Sequence, residues 1–320
     1  MTHPLVSIIM PTYNRKKLAE RAIKSILKSN YKNIEVIVID DASPDRTIDY
    51  LKDKFKKEKK VKIFRNKKNL FAAGTKNEGQ KRAIGDLLMF MDDDNVLDYD
   101  TIEKLVTSLM SNPRLGEVGP VNYNYNKKNL ILVSRSTRNM FTTKTLHLRT
   151  LAPFKNKKIW LTDDVPNSFM VKADIVRKNK IKFRSQFGIM YEESDYAYRI
   201  RKAGYDIAMV RNAKIYHDIE DNLSKKTKKD YLYHFMNDKR RPYVFARNRV
   251  IFHSLYSTKL QNFFILIFWV WVFTAYYMYK LLFYKGYGDF SFKDKLGAAL
   301  NYLRGTFSGM SYATFKTYEI

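Results

Sequence analysis

Apolar runs of four to six residues recur at 6–10, 34–39, 61–64 and 87–91, and this spacing restricts the fold more than any other feature of the chain. Between the runs, apolar residues fall at helical spacing. Leu18, Ala22, Ile23, Ile26 and Leu27 share one face of a helix predicted over 15–29, and 45–57 and 72–84 read the same way. Strands alternating with helices specify an α/β fold, a mostly parallel sheet covered by helices on both faces. Crossover connections are right-handed, so the C-terminal ends of the strands share one edge, where such sheets bind ligands. Three runs break into polar segments at that edge: 11–14, 40–43 and 92–95.

Farther along, 118–125 and 130–135 read as strands that extend the sheet, 191–203 as a helix, and 207–210 and 214–217 as two more strands. The stretch 260–279 carries no charge for 20 residues and is bounded by Lys259 and Lys280. As a helix it would be about 30 Å long, the thickness of a bilayer core. Its aromatic content suits a membrane interface. A single span and an in-plane hairpin continuing to 284 are both open, and a buried core helix is the third possibility. The apolar start of the chain stops at Pro11 and has no basic leader, so it reads as a first strand and not as a signal peptide. The catalytic part is therefore expected on the cytoplasmic face of a cell membrane. The absence of cysteine excludes disulfides and thiolate chemistry. A formal net charge of +27 must attract anions, whether lipid headgroups, phosphorylated substrates or nucleic acid.

The residues with chemical potential are acids. Asp92, Asp93 and Asp94 follow an apolar run, and three adjacent carboxylates repel one another unless a cation or hydrogen-bond donors compensate. Hard oxygen ligands suit Mg²⁺ or Mn²⁺; a solvated acidic loop is the plainer alternative. Asp40 and Asp41 also close a strand, where an acid can accept hydrogen bonds from a ribose or a base edge, or can simply cap the next helix. Glu192, Glu193 and Asp195 form a second acidic cluster, suited to taking a proton from a hydroxyl, or to a helix N-terminus. His217 follows a strand and would serve as a third metal ligand. No dinucleotide fingerprint or P-loop is present.

Taken together, VSIIMPTYNR at 6–15, EVIVIDDASPDRT at 35–47, NLFAAGTKNEG at 69–79, GDLLMFMDDDN at 85–95 and YEESDYAYRIRKAGY at 191–205 resemble the family 2 glycosyltransferases of the GT-A fold. The resemblance runs over roughly 5–250. It implies a Rossmann-like nucleotide-diphospho-sugar transferase domain. It also implies that Asp40 or Asp41 contacts the base and ribose of a nucleotide-diphosphate sugar donor, with Pro11, Thr12 and Tyr13 lining the same pocket and Lys76 close by. Asp92 and Asp94 match the metal-binding DxD motif, with Asp93 between them, and His217 matches a histidine that assists the metal. Glu193 matches the general base, with Glu192 and Asp195 as rivals, and Arg247-Asn248 resembles a pair that follows the catalytic domain. Ala42 and Phe71 stand where the family commonly has glycine.

The expected reaction is inverting transfer of a sugar to a hydroxyl, on a lipid-linked or cell-surface glycan. A polyprenyl-phosphate sugar synthase of the same fold is the first alternative. A non-enzymatic polyanion binder is the second; clustered acids at strand ends would repel nucleic acid, so none is expected as a partner. The expected division is a catalytic domain over 1–220, with donor and acceptor halves meeting near 110, a basic helical linker over 221–258, and a membrane-associated helix and tail over 259–320. Membrane lipids are the expected partner of that last part.

Overall fold

The computed structural model describes residues 3–218, 231–286 and 288–315. The basic run at 225–229 lies outside them. In chain order the elements are β1 (Val6–Thr12), α1 (Lys16–Lys28), β2 (Ile34–Asp40), α2 (Thr47–Lys54), β3 (Val61–Arg65), α3 (Phe71–Arg82), β4 (Leu87–Met91), β5 (Asn95–Leu97), α4 (Thr101–Met110), β6 (Leu115–Asn124), β7 (Ile131–Val133), β8 (Arg135–Arg138), β9 (Thr145–Leu148), β10 (Ile159–Leu161), β11 (Ser168–Lys172), α5 (Ala173–Lys178), α6 (Glu192–Lys202), β12 (Asp206–His217), α7 (Tyr231–Asn237), α8 (Arg240–Tyr256), α9 (Lys259–Phe264), α10 (Val270–Leu282) and α11 (Phe292–Phe315).

The chain divides into two compact units. The first is built on a ten-stranded sheet whose main path runs β10-β12-β6-β11-β4-β1-β2-β3. β1 pairs in parallel with β2 and β4, β2 with β3, and β6 with β12. Both faces are covered, which is why β1, β2 and β4 read as largely apolar runs without alternation, interrupted by Ser7 and Glu35. Ile8, Met10, Met89 and Met91 point into one core cluster, Ile9, Leu88 and Phe90 into the other. Helix α3 crosses β1 at close range through Gly79, where a Cβ would lie 2.3 Å from the Ile9 Cγ2 methyl.

Four strands of this sheet run against the parallel set: β5, β7, β10 and β11. β11 runs antiparallel between β4 and β6, pairing Ser168 with Met91. Its start, and the residue just before it, therefore lie beside the end of β4 at the ligand-binding edge. Two strand readings need correction. The stretches 207–210 and 214–217 are one strand, β12, with a register shift between Val210 and Lys214 that interrupts its apolar pattern. The run 130–135 is split between β7 and β8, because Ser134 leaves the ladder and its hydroxyl donates to the Leu148 and Thr150 carbonyls.

The second unit is helical and takes in 138–145, 189–191 and 222–320. Its described core is α8 packed on α11, with α10 and α7 alongside. Gly305 and Gly309 allow the close approach: a Cβ on Gly305 would lie 2.2 Å from the Tyr243 carbonyl oxygen, and one on Gly309 2.8 Å from that of Arg247. The boundary expected between 258 and 259 is absent. Of the expected basic helical linker over 221–258, the described residues form α7 and α8, and α11 closes on α8. Asn248, fully buried, donates to the Ile189 and Met190 carbonyls, 3.0 Å each.

Candidate active site

The ends of β1, β2 and β4 converge as the strand order requires. Thr12 lies beside Asp40 in register, and the Asp41 N–H donates to the Thr12 carbonyl at 2.9 Å. The Thr12 hydroxyl donates to Asp93 Oδ2 at 2.7 Å. Pro11, half-buried, precedes Thr12 in the same strand, and Tyr13 stands exposed beyond the strand end. The three polar segments seen in the sequence are thus one rim.

Asp40 is fully buried, and burial raises its pKa despite the Ser43 N–H at 3.2 Å and Arg65 at 3.6 Å. Asp41 Oδ1 accepts from Asn66 Nδ2 and from the Leu70 N–H, both at 2.8 Å. These bonds shape the turns on either side. Ala42 and Phe71 have φ of 62° and 58°, the left-handed region where a Cβ is penalised and glycine is at ease.

The aspartate triplet divides its tasks. Asp93 is buried and held by Thr12 and by Arg15 Nη1 at 3.2 Å; burial pushes it up to about 7. Arg15 also reaches Asp94 Oδ2 at 3.0 Å. Asp92 turns its Oδ1 toward Lys76 at 3.3 Å, and burial raises it to about 6. Lys76, only 1% exposed, is the cation at the centre of the acids: Glu193 Oε1 is 2.6 Å from its Nζ and Glu192 Oε1 3.6 Å. Burial disfavours its charge, but these three carboxylates together raise its pKa and keep it protonated. Glu192 is pushed up by burial to about 7.

Asn167, with φ of 70°, ties the rim to the second acidic cluster. Its carbonyl accepts from the Asp92 N–H and from Asn95 Nδ2, both at 3.2 Å. Its N–H donates to Glu193 Oε2 at 3.0 Å, and its side-chain amide meets His217 Nδ1 at 3.2 Å. Asp195 does not join this group; it is fully buried and faces Arg184 at 3.7 Å. Helix α6 places it on the inward face, and Glu192 and Glu193 start the helix at the rim.

His217 Nε2 faces Asp94 Oδ1 at 3.5 Å, and that oxygen is buried without a hydrogen-bond partner. Asp94 lies below the ordinary carboxylate range: burial opposes this, and His217 and Arg15 outweigh it. An orphaned carboxylate oxygen beside an imidazole fits one corner of a divalent-cation site. For Nε2 to offer its lone pair, Nδ1–H must donate to Asn167 Oδ1, which a half-turn of the amide provides. The expected third ligand is not gathered with them. Among the described residues no three histidine or acidic groups form a cage, because Asp92 is drawn to Lys76. Two protein donors leave positions for phosphate oxygens, the usual pattern for Mg²⁺.

Four participants escaped sequence reading: Arg15, Asn66, Asn167 and Glu117. Glu117 is fully buried in β6 with Oε2 unpartnered, and burial, then Asp164 and Glu193, raise its pKa well above the ordinary value. A lone glutamate inside an apolar strand was its visible signal. The other three act through common polar contacts that leave no pattern.

Comparison with known proteins identifies the fold and the family. The fold is that of the S. aureus TarS 1-349 crystal structure, with a TM-score of 0.53 over 98% of this chain and 76% of that one at 16% identity. Residues 7–191 match Glycosyl transferase family 2, and the chain belongs to that family, with a GT-A fold. An uncharacterized glycosyltransferase of Haemophilus influenzae is 38% identical over 112 residues, 35% of this chain and 45% of that protein. The GalNAc(5)-diNAcBac-PP-undecaprenol beta-1,3-glucosyltransferase of Campylobacter jejuni is 40% identical over 95 residues, 29% of this chain and 31% of that protein. The chain thus matches less than half the length of either relative.

Proposed function

We propose that the chain transfers a sugar from a nucleotide-diphosphate sugar to a hydroxyl of a lipid-linked glycan, with inversion at the anomeric carbon, at the cytoplasmic face of a membrane. One observation carries the reading: Asp41, the aspartate triplet and Glu193 meet at one edge of the sheet, joined through Thr12, Lys76 and Asn167. The name of the Campylobacter jejuni relative supports a lipid-linked acceptor, since it specifies a saccharide on PP-undecaprenol.

In this reading Pro11, Thr12, Tyr13, Asp40 and Asp41 receive the nucleoside. Asp94 and His217, with Asp92 close by, would hold Mg²⁺ or Mn²⁺, which when bound neutralises charge on the leaving diphosphate. Glu193 takes the proton of the acceptor hydroxyl. A carboxylate has about four acceptor sites; Lys76 and the Asn167 N–H take two, fix its orientation and leave the others for the acceptor. The attacking oxygen then approaches the face opposite the diphosphate.

The lysine at 2.6 Å also favours a second reading, because it occupies one oxygen of the carboxylate that would act as the base. A polyprenyl phosphate acceptor would need no base. Assaying a lipid phosphate beside a lipid-linked saccharide separates the two. For the first reading, Glu193→Gln should lower transfer by about 10²–10⁴-fold while nucleotide-diphosphate binding in Mn²⁺ is retained. Near-parental transfer by Glu193→Gln, or no nucleotide binding by the parent chain, would rule it out.

A further inference from the structure

The apolar segment expected from sequence forms one helical stretch, Lys259–Leu282, and of its 18 most apolar consecutive residues only 22% are buried. It is not a core helix. Its buried residues are few and one-sided: Ile265, Val270, Thr274 and Leu281. Ile265 and Val270 are five apart, and the π-helical turn over Ile265–Trp269 is what lets both face inward. They pack with Val250 of α8 and Met310 of α11, and the Thr274 hydroxyl meets that of Thr306 at 3.0 Å. The outer side exposes Phe263, Ile267, Phe268, Trp271, Tyr276 and Tyr279. Helix α11 adds an exposed apolar stripe of its own: Phe292, Leu296, Leu300 and Phe307.

A span across the bilayer conflicts with what lies alongside. Thr274 and Thr306 meet near the middle of both helices, so a crossing stretch would carry the middle of α11 into the hydrocarbon. Arg304, two residues away, is exposed there. A guanidinium at the bilayer centre is strongly unfavourable. Lying along the surface removes the conflict: aromatic side chains enter the boundary between headgroups and acyl chains, and cations stay at headgroup level. The charges suit such a surface, since 259–315 carries six lysines and arginines against two aspartates.

We infer that the helical unit is an in-plane anchor, seated on an anionic lipid surface by the outer side of α9–α10 and the stripe on α11. The inference rests on the membrane part of the proposed function and adds how the membrane is met.

The test uses the full chain and phosphatidylcholine vesicles with about 30% phosphatidylglycerol, whose acyl chains are brominated either near the headgroup or near the terminal methyl. Two of the three tryptophans, Trp269 and Trp271, lie on the anchor; Trp160 is buried in the sheet unit and gives a constant background. Shallow bromine should quench at least about twofold more than deep bromine. Ile267→Asp, on the exposed side, should weaken vesicle binding by about tenfold or more with unchanged thermal unfolding in solution. Equal or stronger quenching by deep bromine would mean a span and overturn the inference. So would no vesicle binding, or self-association through this face in its place. Nucleotide-diphosphate binding without vesicles is measured in parallel; its loss alone counts against the transferase reading and leaves the anchor standing.

Discussion

At the scale of single residues, the rim is set by strain and by one buried cation. Ala42 and Phe71 hold left-handed backbone at positions where glycine is common in the family, and the structure supplies the reason: φ of 62° and 58°. Ala42→Gly is expected to raise the unfolding free energy by about 1 kcal/mol, the steric relief exceeding glycine's entropic disadvantage; denaturant unfolding reads it, and a loss of stability would contradict the strain. Lys76 is the opposite case. Lys76→Met leaves Asp92, Glu192 and Glu193 without their shared partner. We expect a loss of about 3–5 kcal/mol at neutral pH, smaller near pH 5 where Asp92 and Glu192 are mostly protonated, since burial raises Asp92 to about 6 and Glu192 to about 7. An equal loss at both pH values would show that packing, not charge, is what Lys76 provides.

At the scale of elements, the first part of the sheet unit was legible because β1, β2 and β4 are apolar runs with a polar stop, and α1 keeps its helical period. The later strands were harder to read. β5, β7 and β10 have three residues each, too few to show a period, and β12 hides its continuity behind a register shift. The acids of the site were legible by their placement after strands. Asn66 and Asn167 were not, because a hydrogen bond to a backbone group leaves no spacing to read. Element β2 carries a pH signature. Glu35 is buried, which alone would raise its pKa, but Lys62 at 2.8 Å, the Ser7 hydroxyl and the Ile84 N–H outweigh burial and hold it below the ordinary value. A carboxyl lowered on folding stabilises above its unfolded value near 4.5 and loses that contribution as the pH falls through the folded value. Acid titration of stability should therefore fall below about pH 4.5, and Glu35→Gln should flatten that fall while costing about 1–3 kcal/mol at pH 7. An unchanged acid slope in the variant would exclude Glu35 as its source.

At the scale of the whole molecule, a net charge of +27 opposes compactness by self-repulsion. Raising salt from about 20 mM to about 0.5 M shortens the screening length several-fold, so the unfolding temperature should rise, and a fall would mean that attractive surface pairs dominate. The helical unit was readable only as an apolar segment between basic flanks; that α8 and α11 close on each other through Gly305 and Gly309 depends on contacts between distant stretches, which periodicity does not report. The last consequence comes from Asn167. The backbone of this one residue accepts from the Asp92 N–H and donates to the Glu193 carboxylate, so neither acid can shift without disturbing the support of the other. Changes at these two positions should show epistasis, with a coupling of about 0.5–3 kcal/mol. Homologues that differ at one of the two positions are expected to differ at the other.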